Sequence, residues 1–89
     1  MIETKRWHVE IFIGEQDGQT HAEARLMPME KVTLTGTGAA RLNPQDADVP
    51  EIGEELAVAR ALSDLGHQLL ATTALDIESV THQPAHLDA

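Results

Sequence analysis

The chain has 89 residues, which suits one domain with a single hydrophobic core. It contains no cysteine, so disulfides, thiolate metal sites and thiol nucleophiles are excluded and apolar burial must stabilise the fold. The formal net charge of −9 disfavours a general affinity for nucleic acid, because phosphate binding depends on lysine and arginine.

The charge is divided unequally along the sequence. Residues 1–42 carry five basic and six acidic residues, a net charge of −1, whereas residues 43–89 carry one arginine and nine acidic residues, a net charge of −8. An excess of acidic residues such as that of residues 43–89 is typical of a solvated helical face. The alternative is that the nearly neutral first half meets a partner while the acidic half faces solvent.

The first strong pattern predicts a two-stranded hairpin. Apolar and other residues alternate from Trp7 to Ile13, as in a strand with one buried face, and Asp17-Gly18 suits a two-residue turn. With Gln16 facing Gln19, the alternating apolar residues lie on one face, and Phe12 projects on the other. A cross-strand ion pair of about 0.2–1 kcal/mol is also predicted. The predicted pairs are Val9 with Leu26, Ile11 with Ala24, Ile13 with Ala22 and, for the ion pair, Glu10 with Arg25.

A third strand is predicted to resume at Val32, after a turn over residues 28–31, so that the sheet spans residues 6–41. Gly36 and Gly38 lie on its core-facing side, where missing side chains would let a helix approach closely. A phosphate-binding Gly-x-Gly is the alternative, but the third glycine and the helix that should follow directly are missing.

A long helix is predicted over residues 49–72, with Asp48 as its N-cap and Glu51 completing a capping box. Apolar residues at helical spacing form a stripe that we expect to face the sheet. The stripe comprises Ile52, Leu56, Ala59, Leu62, Gly66 and Leu69, and it is widened by Val58, Leu65 and Leu70. Because this stripe is wider than one sheet face requires, it indicates a second contact, either a short segment that follows or another subunit.

A short C-terminal helix is predicted over residues 74–81, because Thr73 and Asp76 repeat the capping pattern. The predicted fold is therefore α+β, a single domain over residues 1–89. It consists of a three-stranded antiparallel sheet, a long helix and a short helix. No run of about 18 apolar residues and no signal-like segment is present, so a cytoplasmic location is expected.

Residue chemistry predicts no catalytic, metal or cofactor site. His8 and His21 would lie near opposite ends of the hairpin, and Pro84 disfavours the helix that would align His82 with His86. Neither serine lies in a Gly-x-Ser-x-Gly elbow. These observations favour a binding protein over an enzyme.

Four strings in combination resemble a family of small actinobacterial proteins of unknown function, over nearly the full length. They are Gly36-x-Gly-x-Ala-Arg41-Leu-Asn-Pro44, Val49-Pro-Glu-Ile-Gly-Glu-Glu-Leu56, Ala59-Arg-Ala-Leu-Ser-Asp-Leu65 and Asp76-Ile-Glu78-x-x-Thr-His-Gln-Pro84. The resemblance implies a fold like that of double-stranded-RNA-binding domains and dimers like those of ribosome hibernation-promoting factors. It therefore implies a dimeric, stress- or dormancy-linked protein that acts on translation, and it implies no catalytic residues.

Two hypotheses follow, and they differ in which half of the chain makes the contact. In the first, a homodimer binds the ribosome or a ribosomal protein through the basic residues of the first half and one exposed aromatic ring. These candidates are Lys5, Arg6, Arg25, Lys31, Arg41 and Phe12. In the second, an acidic helical face docks on a basic protein surface through Glu51, Glu54, Glu55 and Asp64.

Overall fold

The computed structural model describes residues 2–27, 34–41 and 49–87. Its elements are β1 (His8–Gln16), β2 (Gln19–Met27), β3 (Leu34–Arg41) and α1 (Pro50–Thr81). The strands form an antiparallel sheet in the order β1-β2-β3, and α1 packs across β2 and β3 while scarcely touching β1. The predicted α+β class is confirmed. The predicted turn over residues 28–31, the start of the third strand at residue 32 and the predicted N-cap residue 48 lie outside the described residues.

The hairpin turn forms where Asp17-Gly18 predicts it. Both residues have positive φ values, 53° for Asp17 and 75° for Gly18, as a type I′ turn requires. The register of β1 with β2 is also as predicted, since Gln16 pairs with Gln19 and Ile11 with Ala24. Turn chemistry and the alternation of apolar residues therefore define the pairing together.

The predicted burial of the hairpin face is correct for β2 and wrong for β1. Ala22, Ala24 and Leu26 are at most 3% exposed, whereas every residue of β1 is exposed. The cause is the position of α1, which lies over β2 and β3 and leaves β1 as an uncovered edge strand.

Small residues on both elements bring α1 close to the sheet. A Cβ atom on Gly36 would lie 2.5 Å from the Leu65 amide nitrogen, and one on Gly38 would lie 2.5 Å from that of Ala61. Ala57 and Ala61 are themselves fully buried against this surface. The prediction that the strand glycines admit a helix is confirmed, and neither strand glycine forms a phosphate loop in the structure.

The predicted sheet-facing stripe of the helix is correct in part, since Leu65 is buried and Val58 and Leu69 pack against the buried cluster. Ile52, Leu56 and Leu62 are exposed, and the buried row is Ala57, Ala61 and Leu65. The close approach to the strand glycines favours small side chains beside Leu65, so Ala57 and Ala61 face the sheet while Ile52 and Leu56 are exposed.

The helix begins at Pro50, with Val49 as N-cap in an extended conformation and no side-chain cap. A residue before proline is disfavoured in the α region, and proline itself suits the first helical position. The helix therefore begins after Val49, which takes the N-cap position predicted for residue 48.

A single helix replaces the two that were predicted, because α1 continues to Thr81 without a break. The Thr73 hydroxyl donates to the Leu69 carbonyl at 2.8 Å, a bond typical of a helix interior rather than of an N-cap. The helix ends at His82, which has a left-handed φ of 59° and donates its N–H to the Glu78 carbonyl. In residues 2–27, 34–41 and 49–87, no helix is long and apolar enough to cross a membrane.

Candidate interaction surfaces

The outer face of the sheet, opposite α1, carries a compact group formed by Phe12, Glu23 and Arg25. The Arg25 guanidinium lies 4.4 Å from the centre of the Phe12 ring and 2.8 Å from a Glu23 carboxylate oxygen. Glu10 is the cross-strand neighbour of Arg25, as predicted, but the ion pair forms with Glu23 instead. Phe12 pairs directly with Glu23, so an Arg25 side chain that leans over the ring reaches that carboxylate.

The candidate basic residues do not meet in one patch. Lys5 and Arg6 precede β1, at the end of the sheet where His8 pairs with residue 27, whereas Arg41 pairs with Gln19 at the turn end. At about 3.3 Å per residue, the two ends of a nine-residue strand are roughly 25 Å apart. Arg25 lies between them and is occupied by Glu23, and Lys31 lies outside the described residues.

Three of the four candidate acidic residues lie in the first two turns of α1. Glu51 and Glu55 are exposed, while Glu54 is half-buried. Asp64 is less available for docking on a partner, because its carboxylate accepts hydrogen bonds from the Thr37 N–H and the Gln68 amide. The predicted acidic face is therefore reduced to the helix start.

A row of polar side chains on α1 covers the outer edge of β3. Arg60 donates to the Ala39 carbonyl at 2.6 Å, and Gln68 donates to the carbonyl of residue 35 at 2.7 Å. Between them, Asp64 accepts from the main chain of residue 37 at 2.8 Å. The spacing of four residues between members of the row places them along one side of a helix. This spacing was visible in the sequence, although nothing in it indicated a strand edge as the partner.

The opposite edge of the sheet is open. Val9, Ile11 and Ile13, on the same face of the sheet as α1, expose 41–46% of their surface. Trp7, which precedes the strand and has the same parity, is 57% exposed. Together these four residues form an apolar row, here called the β1 row, and contiguous exposed apolar surface is typical of interaction sites.

Further exposed apolar residues lie on α1. Ile52, Leu56 and Leu62 are each at least 42% exposed. Farther along, Leu75 and Val80 are also exposed, at 66% and 78%. A single copy of the chain therefore leaves apolar residues uncovered on both the strand edge and the helix.

The described residues carry no group of three histidine, aspartate or glutamate side chains that could hold a metal ion. A depression of about 460 Å³ lies between the second half of α1 and the chain that follows it, and two histidines, His67 and His86, line it. Alanine and leucine line the rest, including Leu70 and Leu87. Such a lining offers no nucleophile paired with a base.

The comparisons with known proteins all indicate the same family. The family model described as Rv2632c-like matches residues 5–86. A Mycobacterium bovis protein, "uncharacterized protein Mb1767", is 59% identical over 83 residues, which covers 93% of this chain and 87% of that protein. "Uncharacterized protein Rv2632c" from Mycobacterium tuberculosis is 50% identical over 80 residues, or 90% of this chain and 85% of that protein.

A solved structure is similar to this chain in both fold and sequence. The crystal structure of Rv2632c superimposes with a TM-score of 0.83 at 48% sequence identity, covering 93% of this chain and 98% of that one. The sheet and the helix are therefore shared across nearly the whole length of both chains. The chain belongs to the Rv2632c-like family.

Proposed function

We propose that this protein is a non-enzymatic, stress- or dormancy-linked homodimer that binds the ribosome or a ribosomal protein. The observation that supports a binding role is the apolar surface left uncovered by a single copy, above all Val9, Ile11 and Ile13 of the β1 row. The ribosomal partner follows from the resemblance to hibernation-promoting factors and to double-stranded-RNA-binding domains.

The basic residues that would approach RNA are few. With Arg25 paired to Glu23, the exposed candidates in the described part of the chain are Lys5 and Arg6 at one end of the sheet and Arg41 at the other. Each phosphate neutralised by such a residue contributes roughly 0.7–0.9 to the slope of log affinity against log salt. We therefore expect a shallow salt dependence, with weak binding at physiological ionic strength.

Co-sedimentation of the purified protein with ribosomes across a salt series tests this proposal. Charge reversal at Arg41 should lower the amount bound and flatten the slope by roughly 0.7–0.9. Charge reversal at Arg25 is the matched control, because Glu23 already neutralises that side chain, and it should change the slope less. Absence of co-sedimentation at low salt, with the dimer intact, would contradict the ribosomal proposal.

The acidic start of α1 favours a second candidate function, a protein-interaction module that docks on a basic protein surface. Glu51 and Glu55 are exposed there, within the half of the chain that has a net charge of −8. Reversal of both charges to lysine separates the two functions in the same assay. Binding should be lost if the acidic helix docks on a basic ribosomal protein, and it should strengthen if the sheet side meets RNA.

A further inference from the structure

We propose that two copies of the chain join edge to edge through β1, antiparallel about a two-fold axis at Ile11, to form one continuous six-stranded sheet. The proposal rests on the homodimer of the proposed function and specifies the surface and the register by which it forms. Two copies of the three-stranded sheet supply the strands.

The two edges of the sheet differ in how their main-chain groups are satisfied. On β3, the outward groups of residues 35, 37 and 39 bond to Gln68, Asp64 and Arg60 of α1. Within the described residues, no side chain bonds to the outer edge of β1 in this way. An edge strand with unpaired N–H and C=O groups is a template for another strand, and proteins usually block it. Among the described residues, the β3 edge is blocked and the β1 edge is left open.

The hairpin determines which groups of β1 are free. Across a two-residue turn, Gln16 and Gln19 exchange both hydrogen bonds, and hydrogen-bonded pairs then alternate along the ladder. The even-numbered residues of β1 thus bond to β2, and the odd-numbered residues from Val9 to Glu15 direct their main-chain groups outward. The same alternation places residues 35, 37 and 39 outward on β3, where their bonds to α1 are observed.

Apolar pairing and charge along β1 together favour one register. With the axis at Ile11, that residue meets its own copy, and Val9 meets the partner's Ile13. Every member from residue 9 to residue 13 then has an apolar neighbour across the new ladder, and such pairs stabilise a sheet. A two-residue shift of the partner, with the axis at Phe12, would instead place Val9 opposite the partner's Glu15. The opposite shift, with the axis at Glu10, would pair Trp7 with the partner's Ile13, but it would place the two Glu10 carboxylates directly opposite each other, and like charges so placed are destabilising.

Charge supports the same antiparallel arrangement. Lys5 and Arg6 precede β1, while Glu15 and Asp17 lie at its other end, so a two-fold axis brings basic residues of each copy to acidic residues of the other. In this register Lys5 lies opposite the partner's Asp17. Glu10 lies opposite the partner's Phe12, over whose ring the Arg25 guanidinium is held.

Single cysteines test the register directly, because the chain contains none of its own. Residues directly opposite each other on antiparallel strands have Cα atoms about 4.5–5.5 Å apart, within disulfide range. Under oxidising conditions, Ile11→Cys should therefore form a disulfide-linked dimer. Its covalent mass without reductant should be twice the chain mass of 9.7 kDa. In an equimolar mixture of Glu10→Cys and Phe12→Cys, about half of the dimers contain one copy of each, so up to about half of the protein should form the disulfide. Either variant alone should form a dimer without the disulfide, since diagonal neighbours are about 7–8 Å apart.

The mixture keeps the test valid if Ile11→Cys does not fold, because Glu10 and Phe12 are exposed on the outer face. Sedimentation equilibrium on the unsubstituted protein tests the homodimer separately from the edge pairing. A dimer in solution without any of these disulfides would overturn edge pairing and leave the homodimer standing. A monomer would overturn both, and a disulfide formed by Phe12→Cys alone would overturn the register.

Discussion

The main-chain N–H of Thr37 donates a hydrogen bond to the Asp64 carboxylate across 2.8 Å, and this contact attaches α1 to the outer edge of β3. Asp64→Ala removes the acceptor, so we expect the free energy of unfolding to fall by about 0.5–1.5 kcal/mol. Asp64→Asn, which keeps one acceptor oxygen, should lose less. Urea unfolding checks this prediction, with Glu55→Ala as an exposed acidic control that should change stability by about 0.5 kcal/mol or less. Equal losses for Asp64→Ala and the control would show that the bond is not stabilising.

Gly36→Ala tests the close approach of the helix to the sheet. The added methyl group would meet the main chain and Cβ of Leu65 and force α1 away from β3, which should lower the free energy of unfolding by about 1–3 kcal/mol. Gly14→Ala is the matched control in the same sheet, since nothing lies within 4 Å of its added atom. Thermal unfolding of the two variants should separate them clearly. A Gly36→Ala protein as stable as the Gly14→Ala protein would contradict the described packing.

Thr73→Ala distinguishes one continuous helix from two. If Thr73 capped a second helix, its loss would cost about 1 kcal/mol. In a continuous helix the change replaces a weaker helix former by alanine, and stability should be unchanged or raised by up to roughly 0.5 kcal/mol. Chemical unfolding followed by far-ultraviolet circular dichroism measures the free energy of unfolding, and a loss of about 1 kcal/mol would favour a break at this residue.

The features predicted correctly from the sequence are those that short-range chemistry determines. Asp17-Gly18 can adopt the positive φ values of the turn, and that turn together with the alternating residues determines the whole hairpin register. The glycines of β3 are likewise predicted correctly as a helix contact. At a core-facing position, a missing side chain lets a helix approach closely.

The features that were missed depend on how elements meet. Periodicity identified Leu65 as core-facing, but it missed Ala57 and Ala61, whose small side chains fit against the strand glycines. The Glu10 and Arg25 neighbours were predicted correctly, yet the guanidinium turned to Glu23 because the Phe12 ring lies beneath it. Asp64 was assigned to a docking face, since a sequence does not show which strand edge a helix will cover.

The central claim is that two copies associate through the β1 row, and sedimentation equilibrium at tens of micromolar protein tests it most directly. We expect twice the chain mass of 9.7 kDa for the unsubstituted protein and 9.7 kDa for Ile11→Lys, whose charge would lie at the centre of the interface. Ile52→Lys makes the same change at an exposed position on α1 and should remain dimeric. A mass of 9.7 kDa for the unsubstituted protein, or a dimer that persists in Ile11→Lys, would contradict the account.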